Sequence, residues 1–186
     1  DVYKRQDMNE DQYPDILLSP AEKAGQYYRI SWFRSPGKQD ITNEWSEHII
    51  EREVETVHHF IGAADLDRDG DIDVLTAKMH QGKDPDEISY YLNSGSGERW
   101  KKQVVAETGS HSIKIFDADN DGDYDFFGAN WSGPHQAVEY WENLTCDQHG
   151  GDWVRRVIDD KRPWTSIFIS TMDVNQDSLA DILTGG

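Results

Sequence analysis

The chain has 186 residues, with 36 acidic and 18 basic side chains and a formal net charge of −18. That length holds one ordinary domain, and an acidic chain with no basic stripe to meet phosphates excludes duplex nucleic acid as a partner. No apolar run reaches the length of a membrane span, and Cys146, the only cysteine, reads as a buried or idle thiol that can form no internal disulfide.

Asp1–Gln6 reads as a translated sequencing adaptor and is set apart from residues 7–186. The other end stops at Gly185-Gly186, just after an apolar strand. Both ends lead to the expectation of a reading frame clipped from a longer gene, so no signal peptide is observable. The first element proper is an acidic loop at 7–15, with Asp7, Asn9, Asp11, Tyr13 and Asp15 at alternate positions, running into Ile16-Leu17-Leu18. An aromatic strand follows at 27–33, then a strand led by Trp45, then a strand over Val57–Ala64. The second loop, at 65–73, carries Asp65, Asp67, Asp69, Asp71 and Asp73 with Gly70 at position 6. After it come an apolar strand from Val74, an aromatic strand at 88–93, a Trp100-led strand and a strand over His111–Phe116. The third loop, at 117–125, has Asp117, Asp119, Asp121, Asp123 and Asp125 with Gly122. Strands from Phe126, at 138–143, from Trp153 and over Thr165–Met172 follow. The fourth loop, at 173–181, places Asp173, Asn175, Asp177, Leu179 and Asp181 before Ile182-Leu183.

Oxygen side chains at positions 1, 3, 5 and 9, with a backbone carbonyl at 7, suit the six to eight oxygens that Ca2+ takes. Glycine at position 6 permits the sharp turn. The EF-hand is excluded, because its loop needs Glu at position 12 and Leu18, Thr76, Gly128 and Thr184 stand there. Turn-forming Asp, Asn and Gly without metal is the plainer alternative. Up to four calcium ions, one per loop, would bring the charge to about −10.

The loops recur every 58, 52 and 56 residues, and Trp45, Trp100 and Trp153 keep a similar spacing. Four short strands per unit and no helical periodicity describe an all-β chain, a β-propeller of four-stranded antiparallel blades. The chain reads as an arc of a little over three blades of a larger ring. The Trp series reads as packing between blades, and Lys101-Lys102 and Arg155-Arg156 as partly solvated strand faces.

The DxDxDGDxD loops followed by apolar strands at this period resemble the FG-GAP/VCBS-type calcium-binding propeller repeat, to which the repeats of the integrin α-chain head are related. The two central loops match that pattern fully. The outer two depart from it, with Asn9 and Asn175 at position 3 and no glycine at position 6. The resemblance implies a seven-bladed ring with calcium between the first and second strands of each blade. It also implies a ligand face on the opposite side. External calcium is millimolar and cytosolic calcium far below what moderate oxygen sites need, so an extracellular, cell-surface or periplasmic location is expected.

On that opposite face the sequence places His58 and His59, Lys78 and His80, His111, Asn130, Trp131 and His135. His59 and His111 each stand six residues before their loop's first Asp; the third copy has Ile167 there, with Trp164 nearby. These residue types stack on and hydrogen-bond a sugar, so a glycan or protein ligand is expected. A second reading is the propeller body of a carbohydrate-active enzyme, a lyase or dehydratase, with His59 or His111 as base and Lys78 or a cation stabilising the enolate. Asn130-Trp131-Ser132 and Asn143-Leu144-Thr145 also match the glycosylation sequon.

Overall fold

The computed structural model describes residues 2–37, 42–144, 151–161 and 168–185; Thr145, Cys146, Trp164 and Ile167 lie outside them. The described residues form strands and no helix. β1 (Val2–Gln6), β2 (Asp15–Ser19), β3 (Lys23–Arg34) and β4 (Ser46–Thr56) make the first antiparallel sheet, in chain order. β5 (His58–Ala64), β6 (Asp73–Lys78), β7 (Ile88–Asn93) and β8 (Trp100–Ala106) make the second. β9 (Ser112–Phe116), β10 (Asp125–Ala129), β11 (Val138–Asn143) and β12 (Trp153–Asp159) make the third. β13 (Phe168–Met172) and β14 (Asp181–Gly185) pair as a hairpin. These are propeller blades: each sheet is a simple meander, and the first strands of successive sheets touch one another, β1 on β5, β5 on β9 and β9 on β13.

Residues 2–6, set apart as adaptor, form β1 and pair with β2 from Val2↔Ser19 to Gln6↔Asp15. The physical reason is that β2 would otherwise present an open row of backbone donors and acceptors, which an adjacent extended segment closes.

Among the second and third strands, β6, β7 and β10 are buried throughout, on both faces. Sandwiching by neighbouring blades explains why these strands read as apolar runs rather than as alternation. The packing joins blades. Met8, Leu17, Ile30 and Trp32 of the first blade meet Ile61, Val74 and Tyr91 of the second. Leu75, Ile88 and Tyr90 of the second meet Ile113, Phe126 and Trp141 of the third. Trp153 sits at that second junction, its ring 5.0 Å from Phe126 and 5.9 Å from Tyr90. Trp100 packs against the first junction and donates to the Gly97 carbonyl at 3.1 Å, which Trp32 also reaches at 2.9 Å. The Trp100 and Trp153 positions thus carry inter-blade packing.

Polar side chains close the same junctions. Glu55 is fully buried and accepts from the backbone N–H groups of Gly25 (2.6 Å), Lys83 (2.7 Å) and Asp84 (2.9 Å), tying the beginning of β3 to the connection between β6 and β7. Asn143 donates to the Leu66 carbonyl of the neighbouring blade at 2.9 Å. Lys102 pairs with Glu87 at 2.6 Å, and Arg156 with Glu142 at 2.7 Å, on exposed outer strands.

Candidate functional site

Each acidic loop joins the first and second strands of its blade, so the four loops share one face. Their backbone is built by their own side chains. The position-1 carboxylates accept from the turn: Asp7 from Asp11 and Gln12, Asp65 from Asp69 and Gly70, Asp117 from Gly122, Asp173 from Asp177 and Ser178, at 2.8–3.1 Å. The position-5 carboxylates Asp11, Asp69, Asp121 and Asp177 accept from the N–H two residues on, at 2.8–3.0 Å.

Position 9 has a job that spacing alone does not reveal. One oxygen of Asp15, Asp73 or Asp125 accepts from the position-2 N–H, at 2.8–2.9 Å. The other oxygen accepts from Ser35, Asn93 or Asn143 at the end of the third strand, at 2.8 Å in each case. This carboxylate therefore clamps loop to sheet and is buried. Asp181 repeats the first of these bonds at 2.9 Å.

Positions 4 and 6 take left-handed backbone. Glu10, Arg68, Asn120 and Gln176 have φ of 59–63°, and Gly70 and Gly122 have φ of 98° and 92°. Gln12 (70°) and Ser178 (72°) hold the same conformation without glycine's freedom. The outer loops are thus geometrically equivalent to the inner ones, at a steric cost of about 1 kcal/mol at that position.

The donor set fits a hard cation. Carboxylate oxygens of Asp65, Asp67 and Asp73 lie within 4.8 Å of one another, as do those of Asp117, Asp119 and Asp121. Buried oxygens Asn9 Oδ1, Asp117 Oδ1 and Asp123 Oδ1 have no hydrogen-bond donor. The electrostatics agree: burial, then Asp69 and Asp65, push Asp67 up to about 6. Burial pushes Asp73 to about 7, and burial with Asp121 and Asp125 pushes Asp123 to about 7. At position 7 the Asp123 carboxyl is itself buried in the loop, whereas Asp71 is half-buried. A cation held there would neutralise carboxylates that the chain leaves crowded.

The opposite face is sorted by burial. His59 and His111 meet, ring centroids 5.0 Å apart, and Trp131 stands edge-on to His111 at 6.4 Å. With Glu22 and Gln81 they line an open cleft of about 330 Å³. His58, Lys78 and Asn130 do not belong to it. His58 is buried, and burial followed by Lys78 pushes its pKa down to about 3. Lys78 is buried 3.5 Å from Glu87. The buried Asn130 amide donates to the carbonyls of Thr108, Gly109 and His135. The same burial removes both sequon asparagines from the surface, Asn143 being bonded to Leu66 and Tyr124. His80 and His135 are exposed outside the cleft, His80 near Ser132 at 3.5 Å and His135 on a separate surface pocket.

Glu22 and Gln81 are the cleft residues that motif reading misses. Repeat register is the signal that finds them: each stands three residues past the end of its blade's second strand, Ser19 and Lys78.

A sequence comparison agrees with this architecture. Residues 7–76 and 65–128 match the family model of the FG-GAP-like repeat, and the chain belongs to that family. No curated protein matches the chain.

Proposed function

We propose that this FG-GAP-like repeat chain is a calcium-stabilised β-propeller module of an extracellular, cell-surface or periplasmic protein, and that it binds a glycan or protein partner on the face opposite its acidic loops. The observation that carries the calcium reading is the set of crowded, protonation-prone carboxylates together with donor-less buried oxygens at Asn9, Asp117 and Asp123. In the two central loops the ligands are Asp65, Asp67, Asp69 and Asp73 with Asp71, and Asp117, Asp119, Asp121 and Asp125 with Asp123. Asp7, Asn9, Asp11, Tyr13 and Asp15, and Asp173, Asn175, Asp177, Leu179 and Asp181, serve the outer loops. Bound calcium supplies charge neutralisation and holds the turn between the first two strands of each blade. External calcium is millimolar, which suits oxygen sites of moderate affinity and favours a location outside the cytosol.

Isothermal calorimetry of the full chain with calcium tests this, alongside thermal unfolding with and without chelator. Heat of binding and a chelator-reversible rise in Tm are expected; neither heat nor shift would end the calcium reading.

The His59–His111 ring contact in an open cleft favours a second reading, part of the propeller body of a carbohydrate-active enzyme with one imidazole as base. Lys78 counts against the lyase version, because it is buried against Glu87 and does not line the cleft. Depolymerisation assays on acidic polysaccharides with the native chain and His59→Ala separate the two readings.

A further inference from the structure

The cleft is assembled from three blades. Glu22, Gln81 and Trp131 come from the connections that follow β2, β6 and β10, and His59 and His111 stand at the beginnings of β5 and β9. Because the first strands of the blades contact one another, these connections converge beside the propeller axis, on the side away from the acidic loops. Side chains so far apart in sequence meet only through blade stacking.

The polar groups are already oriented. The Gln81 side-chain carbonyl meets His59 Nε2 at 2.7 Å, and Glu22 lies 3.7 Å from His59 Nδ1. His111 Nδ1 lies 3.1 Å from Ser112 Oγ. His59 is nearly buried, with 7% of its side chain exposed, so the histidine pair forms a floor rather than a rim. Trp131 is 40% exposed and stands as a wall perpendicular to that floor, its plane 87° from the His111 ring.

An aromatic wall beside an amide, a carboxylate and an imidazole matches a ring with one apolar C–H face and a rim of hydroxyls. The volume is at the small end of ligand pockets, which run from about 300 to 1,000 Å³. The cleft's charge decides between sugar classes. Among the described residues its lining includes the Glu22 carboxylate and neither lysine nor arginine, and the chain carries −18 overall. An acidic sugar would bring its carboxylate against Glu22 with no lining Lys or Arg to meet it.

We propose that this cleft binds a neutral pyranose unit of a glycan, stacked on Trp131, with its hydroxyls on Gln81 and Glu22 over the His59–His111 floor. This rests on the ligand-face reading above and narrows it to one sugar class and one set of residues.

The test is calorimetric titration of the full chain in saturating calcium. The probes are neutral gluco-, manno- and galacto-configured oligosaccharides, with galacturonate oligomers as the acidic comparison. A neutral series is expected to bind. Trp131→Ala should weaken it by about 10-fold or more, the scale of one lost stacking contact, while Trp131→Phe keeps part of the affinity. Gln81→Ala should weaken binding without moving Tm, because Gln81 is exposed. Absence of neutral-sugar binding, tighter binding of galacturonate, or equal affinity in Trp131→Ala and Gln81→Ala overturns the proposal. Calcium heats on the same samples keep the two readings apart: calcium binding without sugar binding refutes the cleft alone.

Discussion

Asp67→Ala should stabilise the chain without calcium and abolish the stabilisation that calcium confers on its loop. Asp67 is 3% exposed, and its pKa is raised from 3.8 to about 6 by burial, then by Asp69 and Asp65. A raised carboxyl pKa means the folded state holds the proton more tightly than the unfolded state. Folding stability is therefore lost as pH climbs from 3.8 to 6, and the whole penalty is present at pH 7. At about 1.4 kcal/mol per pKa unit the penalty is on the order of 3 kcal/mol. Removing the carboxylate in chelator should recover most of it, less the modest bond from the Asp69 N–H at 3.3 Å. For a chain of this size that is a rise of several degrees in Tm, at roughly 2–4 °C per kcal/mol. At pH 5 the gain should fall to roughly half, since the native Asp67 is then largely protonated.

Calcium reverses the balance. A site at about 100 times its Kd adds about 2.7 kcal/mol, a condition met near 10 mM calcium for a Kd of about 10⁻⁴ M. The native chain gains this increment at the second loop and Asp67→Ala does not, so the two melting temperatures should converge in calcium. Asp67→Asn provides the control, because Asn9 and Asn175 already occupy the equivalent position; it should share the gain in chelator and keep a weakened calcium response. Thermal melts in chelator and in calcium at pH 7 and pH 5 read all four corners. If Asp67→Ala lowers Tm equally with and without calcium, the carboxylate is a structural group and the reasoning fails.

Glu55→Gln should cost about 2–4 kcal/mol, since an amide cannot accept all three backbone N–H groups that the buried carboxylate holds. Burial raises the Glu55 pKa, but the N–H groups of Asp84, Gly25 and Lys83 and the charge of Lys78 outweigh that and hold it below its ordinary value. Its contribution is thus complete above the unfolded pKa and fades as pH falls through the lower folded one, so the gap between Glu55→Gln and the native chain should narrow below about pH 4. Melts from pH 7 to pH 3 check this, and a gap that ignores pH contradicts it. His58 behaves oppositely in origin but similarly in direction. Buried and neutral with a pKa of about 3, it lets the unfolded chain take up a proton first as pH falls below about 6.5. Denaturant midpoints should show the native chain losing about 2 kcal/mol more than His58→Gln between pH 7 and pH 5; parallel losses would remove His58 as the cause.

The acidic loops, the strand order and the blade period were legible in the residues, because each depends on local chemistry. Alternate oxygens make a turn wherever they occur, Gly70 and Gly122 sit where φ is positive, and β-branched and aromatic runs extend. The equivalence of Gln12 and Ser178 to those glycines was not legible, since neither residue favours that backbone. Nor was the use of residues 2–6 as a strand, which depends on pairing with β2. The second role of Asp15, Asp73 and Asp125 was hidden for a related reason: their partners Ser35, Asn93 and Asn143 lie one strand beyond the loop.

The repeat, the all-β architecture and the loops that suit calcium are written in the residues, since all of these follow from contacts within about one repeat. Tertiary structure alone decided which polar residues are available for recognition. Adjacent His58 and His59 are alike in sequence, yet stacking of neighbouring blades buries one and turns the other toward His111 and Trp131. It likewise withdrew Lys78 and Asn130 and brought in Glu22 and Gln81. Burial and convergence depend on how three blades meet around an axis, and no spacing within a single repeat encodes that geometry.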